Sequence, residues 1–147
     1  MIGARLDEAL ERLGWRARDL CDAAVLSESC VSQIRSGQKT PSLLVALAVA
    51  EVTGWTIDAL IGADPLGDPD CVRLPKPTST ASTGWAASIK ALVYASSLKD
   101  VACRMRCDPP RVHMYLRGVE PRLTSAVAFS QRLGQRVHAM AIGRPAL

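Results

Sequence analysis

The 147-residue sequence predicts an all-α protein of two tandem five-helix units joined by a proline-rich linker. Three observations predict it. Apolar residues recur at helical spacing through both halves. The composition is rich in Ala, Leu and Val with only 4% aromatic residues, which favours helices. One pattern is also written twice. In the first copy Ser27 opens a short helix, Val31 and Ile34 form an i, i+3 stripe, Gly37 stops it, and Pro41, Ser42 and Leu43 start another. In the second copy Asp108, Val112, Tyr115, Gly118, Pro121, Arg122 and Leu123 repeat the sequence of events. The offset is 81 residues between the glycines and 80 between the prolines, so one residue is missing from the second turn. Asp19 with Asp100, Leu20 with Val101, Cys21 with Ala102, Gly54 with Gly134 and Ile57 with Val137 extend the match. The correspondence covers about fifty residues per copy, the signature of a duplicated structural unit.

Each element has its own local reason. The first helix is expected over Ile2–Leu13, with Leu6, Leu10 and Leu13 on one face and Gly14 as its stop. A second is expected over Ala17–Ala24. Ser27 is the N-cap of the third, because its hydroxyl satisfies a free N–H of the first turn. Gly37 closes that helix after Ser36 by taking the left-handed conformation. The fourth is expected over Ser42–Thr53, and Thr56 caps a short fifth helix ending at Ile61. Residues 63–83 contain four prolines and a Thr/Ser tract without helical periodicity, and read as a linker with a weak extended signal at Cys71–Leu74. The plan then repeats over Trp85–Ala95, Leu98–Met105, Pro109–Arg117, Leu123–Leu133 and Val137–Ile142. Ser97 and Asp108 are the matching N-caps, and Pro109 occupies the first helical position, where no N–H is needed. The expected units are therefore 1–62 and 84–147, each small enough to be marginally stable alone.

Charge divides the halves. Residues 1–62 hold six Lys or Arg against eight Asp or Glu, a net −2, whereas 84–147 hold ten against three, a net +7. A basic half of that size attracts a polyanion, and nucleic acid is the commonest in a cell. The start of the sequence shows no basic-then-apolar leader pattern, and no apolar run reaches the about 20 residues that span a bilayer, so a cytoplasmic protein without membrane contact is expected. Five cysteines without regular spacing imply no disulfide framework. Cys103 and Cys107 with His113 lack a fourth ligand for a metal, and Cys21 and Cys30 read as buried small residues of a helix pair. Trp55 and Trp85 read as core. No phosphate-cradling glycine loop, paired catalytic carboxylates or nucleophile with a His partner is present, so no catalytic residue, metal or cofactor is assigned.

The first copy resembles the helix-turn-helix domain of the Cro/C1 phage-repressor family, also called the XRE family, through Leu20, Cys21, Ser27, Val31, Ile34, Gly37, Pro41, Leu43, Leu47, Gly54, Ile57 and Leu60. The resemblance covers Ile2–Ile61. Departures are Val25 where the family has a turn glycine, Cys21 for its Ala, and Arg35 for its Glu. The resemblance implies two lambda-repressor-like domains in which the third helix enters the DNA major groove. In its register Glu28, Ser29, Ser32 and Gln33 meet base edges, where Gln pairs with adenine and Glu accepts from cytosine. Arg16, Arg18, Gln38 and Lys39 fall where phosphates are touched. Glu28 also fits the ordinary role of a first-turn acid on the helix dipole.

In the second copy the same register gives Pro109, Pro110, His113 and Met114, which offer base edges little beyond His113. Lys99, Arg104, Arg106, Arg111, Arg117 and Arg122 surround that helix as phosphate-gripping cations. The resemblance implies a sequence-specific regulator of transcription, of the phage or prophage repressor type, bound to double-stranded operator DNA in a bacterial nucleoid or phage-infected host. It would act as a homodimer, or as a monomer that uses both units. The alternative confines DNA to the first unit and makes the second a degenerate copy for dimerisation or for a partner protein, as in an antitoxin or anti-repressor.

Overall fold

The computed structural model describes residues 2–63 and 82–147; most of the predicted linker, with its extended signal at Cys71–Leu74, lies outside them. Ten helices and no strand occur among the described residues. They are α1 (Ile2–Leu13), α2 (Ala17–Ala24), α3 (Glu28–Ser36), α4 (Leu43–Thr53), α5 (Ile57–Leu60), α6 (Trp85–Ala95), α7 (Leu98–Met105), α8 (Pro109–Leu116), α9 (Leu123–Arg132) and α10 (Val137–Ala141). The bounds of α1, α2, α6 and α7 are those expected. The start of α4 and the ends of α5, α8, α9 and α10 fall one residue inside the expected bounds, and at those ends the outermost expected residue is the C-cap. The described residues form two compact units, one of 2–41 and 45–63 and the other of 42–44 and 82–147.

In the first unit α3 packs on both α1 and α2, and α5 closes against α1. Leu6, Leu10, Leu20, Val31, Ile34, Leu47, Trp55, Ile57 and Leu60 are all buried in its core, whereas Leu13, expected on the same face as Leu6 and Leu10, is only half-buried at the end of α1. α1 and α3 approach closely at Gly3. A Cβ there would lie 2.6 Å from the Arg35 carbonyl oxygen and 2.9 Å from that of Ile34, so only glycine admits this crossing. Ser27 Oγ accepts from the Cys30 N–H at 3.1 Å and Thr56 Oγ1 from the Ala59 N–H at 3.1 Å, as N-caps should. Gly37 closes α3 with φ 78° and donates to the Ile34 carbonyl.

In the second unit α8 packs on α6 and α7, and α10 on α6 and α9. Val112 and Tyr115 are buried at the places of Val31 and Ile34. Trp85, Tyr115 and Phe129 form an edge-on aromatic series, with centroids 5.8 Å and 5.9 Å apart. Trp55 and Trp85 are core residues in their own units. Thr83, just before α6, donates to the Glu120 carboxylate through both its N–H at 2.7 Å and its hydroxyl at 2.6 Å, and its hydroxyl accepts from the Trp85 N–H. Two expectations are corrected. Asp108 stands at the N-cap of α8 but its carboxylate accepts no capping bond, because Pro109 and Pro110 remove two N–H groups and the Arg111 N–H is taken by the Asp108 carbonyl at 2.9 Å. Cys21 is buried, but Cys30, at the edge of the stripe formed by Val31 and Ile34, is only half-buried.

Candidate nucleic-acid interface

The α2–α3 junction is built by short-range forces. The Arg16 N–H donates to the Asp19 carboxylate at 2.8 Å, which fixes the first turn of α2. Val25 ends α2 in the left-handed conformation, φ 56°, with 89% of its surface exposed. The Leu26 N–H reaches back to the Cys21 carbonyl at 2.9 Å and the chain is delivered to Ser27. With Val31 and Ile34 turned into the core, α3 presents its other side: Glu28, Ser29 and Ser32 are exposed and Gln33 is half-buried. The Gln33 carbonyl accepts from the Lys39 N–H at 3.3 Å and from Ser36 Oγ at 3.2 Å, which folds the loop carrying Gln38 and Lys39 back over the end of α3.

Arg16, Arg18, Gln38 and Lys39 are exposed. Arg18, Glu28 and Ser32 line one cleft of about 470 Å³ together with the ion pair of Arg35 and Asp7. Arg35 is thus tied to α1 through Asp7. Cys21 also borders the cleft, its thiol pushed up by burial and by the nearby charges of Glu28 and Asp22. The first unit therefore gathers hydrogen-bonding side chains on one exposed helix face and sets cations at both ends of that helix.

The α7–α8 junction has the same backbone plan. Arg106 holds φ 56°, as Val25 does, and the Cys107 N–H reaches the Ala102 carbonyl at 3.1 Å. Pro109, Pro110, His113 and Met114 are exposed on α8, and so are Lys99, Arg106, Arg111, Arg117 and Arg122. Arg111 is not a loose cation. Its guanidinium stands 5.7 Å from the centre of the Phe129 ring, and its charge pulls back part of the upward push that burial gives the Tyr115 hydroxyl. Arg132 lies 5.8 Å from the same ring centre.

Arg104 is exposed like the other cations around α8, but it also has a partner within the protein. Its Nη2 donates to the Leu133 carbonyl at 2.8 Å, while Arg132 Nη1 donates to the Met105 carbonyl at 2.9 Å. Each arginine satisfies the terminal carbonyls of the other's helix, so the pair locks α7 to α9. Sequence reasoning missed Phe129, Arg132 and Arg35 as organisers of these surfaces; the local signal for the two arginines is their place in the last turns of α9 and α3, since a cation suits a helix C-terminus.

No group of three or more metal-ligating side chains occurs among the described residues. None of their helices is long and apolar enough to cross a membrane. No protein-family model, curated protein or solved structure matches the chain.

Proposed function

We propose that the chain is a helix-turn-helix regulator of transcription that binds double-stranded operator DNA, reading bases with α3 and gripping phosphates with both units, in the manner of a phage-type repressor. One observation carries the reading: α3 buries Val31 and Ile34 while it holds Glu28, Ser29, Ser32 and Gln33 on its outer side, next to exposed Arg16, Arg18, Gln38 and Lys39. A helix about 10 Å across with a polar outer side fits the major groove, and those side chains are donors and acceptors for base edges. The +7 of residues 84–147 supports a role in phosphate contact for the second unit, where Lys99, Arg106, Arg111 and Arg117 are exposed and, of the four groove-facing positions Pro109, Pro110, His113 and Met114, His113 alone offers base edges a hydrogen-bonding side chain.

Selection of bound sites from random duplex DNA with the full chain tests this. A recovered consensus supports base reading; recovery of sequences without preference, or no recovery, overturns it. At a consensus site Gln33→Ala or Ser29→Ala is expected to cost about 1 to 3 kcal/mol and to relax preference at particular base pairs, with non-specific binding nearly unchanged.

A second reading has its own observation. α8 carries Pro109, Pro110 and Met114 outward, the last 46% exposed, with Val119 44% exposed just beyond the helix. These residues suit contact with a protein better than contact with bases. Under that reading the second unit is a dimerisation or partner-binding module, and its variants lose an assembly and leave DNA affinity as it was.

A further inference from the structure

The second copy departs from the first at its helix junction in a way the turn does not require. Cys103, Arg106, Cys107 and Arg111 occupy the places of Asp22, Val25, Leu26 and Cys30. The turn asks only for an apolar residue at its closing position, which Leu26 and Cys107 both supply. Yet all four residues of the second copy line one cleft of about 380 Å³, with Ala102 and Asp108. Two guanidinium groups against one carboxylate leave that cleft cationic. Cys103 is exposed and Cys107 half-buried, its thiol pushed up chiefly by burial.

We infer that this cleft is a modification site for a small anionic disulfide of the glutathione type, with Cys103 as the sulfur that reacts. The Cys103 thiolate attacks one sulfur of the incoming disulfide. A new S–S bond joins Cys103 to one half, the old S–S bond breaks, and the other half leaves as a thiolate that takes a proton from water. Cys103 is oxidised and the departing half is reduced. Arg106 and Arg111, which line the same cleft as Cys103, receive the carboxylates of the incoming molecule. Cys107 stays behind as a protonated thiol. The adduct places negative charge beside two of the cations assigned to phosphate contact. That consequence rests on the DNA-binding reading; the site does not.

The test uses the full chain and two probes: dithiobis(nitrobenzoate), an anionic disulfide, and dithiodipyridine, its neutral counterpart. Peptide mass mapping assigns the label. Cys103 is expected to react first among the described cysteines and to favour the anionic probe. Arg106→Gln is expected to lower the anionic-to-neutral rate ratio on the order of fivefold, and Arg111→Gln to lower it again, while Arg106→Lys keeps it. Circular dichroism establishes that each variant is folded. An equal ratio in the wild type and Arg106→Gln, or first labelling at Cys21, Cys30 or Cys107, overturns the proposal. DNA affinity of the Cys103 adduct is read separately. If the anionic preference is present and affinity is unchanged, the site stands and the second unit leaves the DNA-binding reading.

Discussion

Val25 and Arg106 take φ values near 56° where an L residue pays a steric penalty, most of all a β-branched one. Val25 is 89% exposed and contributes little packing, so Val25→Gly removes strain at almost no loss of contact. It also adds unfolded-state entropy, and the net expectation is a gain of about 1 kcal/mol, measured as a rise in urea midpoint with unchanged slope. Gly3 is the opposite case. A methyl group at Gly3 meets two carbonyl oxygens of α3. Gly3→Ala is expected to cost about 1 to 3 kcal/mol by overpacking, and because the displaced atoms belong to α3, operator affinity should fall with stability. Unchanged stability would mean that α1 and α3 separate freely.

At the scale of elements, the two copies test which part of a helix start matters. Ser97 caps α7 through its hydroxyl, which accepts from the Asp100 N–H at 3.1 Å, whereas Asp108 supplies only its backbone to α8. Ser97→Ala is expected to lower stability by about 1 kcal/mol and Asp108→Ala to stay within about 0.5 kcal/mol, as thermal unfolding will register. The starts and stops of helices were legible in the sequence because caps, prolines and glycines act within three or four residues. The failure at Asp108 has the same local cause, two adjacent prolines that leave its carboxylate nothing to accept. The candidate base-reading side of α3 was equally legible: once Val31 and Ile34 are assigned to the core, helical geometry leaves Glu28, Ser29 and Ser32 outside.

Over the whole molecule the charge distribution sets the expected response to salt. Arg117 is exposed at the C-terminus of α8, and Arg117→Ala should weaken binding to all duplexes alike and reduce the slope of log affinity against log salt by about one. Gln33→Ala should leave that slope in place. Equal effects of the two variants on cognate and scrambled DNA would defeat the division between reading and gripping. The sequence by itself determined the helical class, the ten helices to within a residue and the stripes that fill the two cores, because all of these follow from periodicity and short-range capping. Which cations remain free to meet a ligand was decided only by tertiary structure. Arg35 reaches Asp7 across 28 residues, Arg104 reaches Leu133 across 29, and Arg132 reaches Met105 across 27. In sequence these arginines look like Lys99 or Arg117, since nothing local marks a guanidinium for a carbonyl or carboxylate on another helix; only packing brings the acceptor within reach, and the cation, though still exposed, is then held by a protein partner.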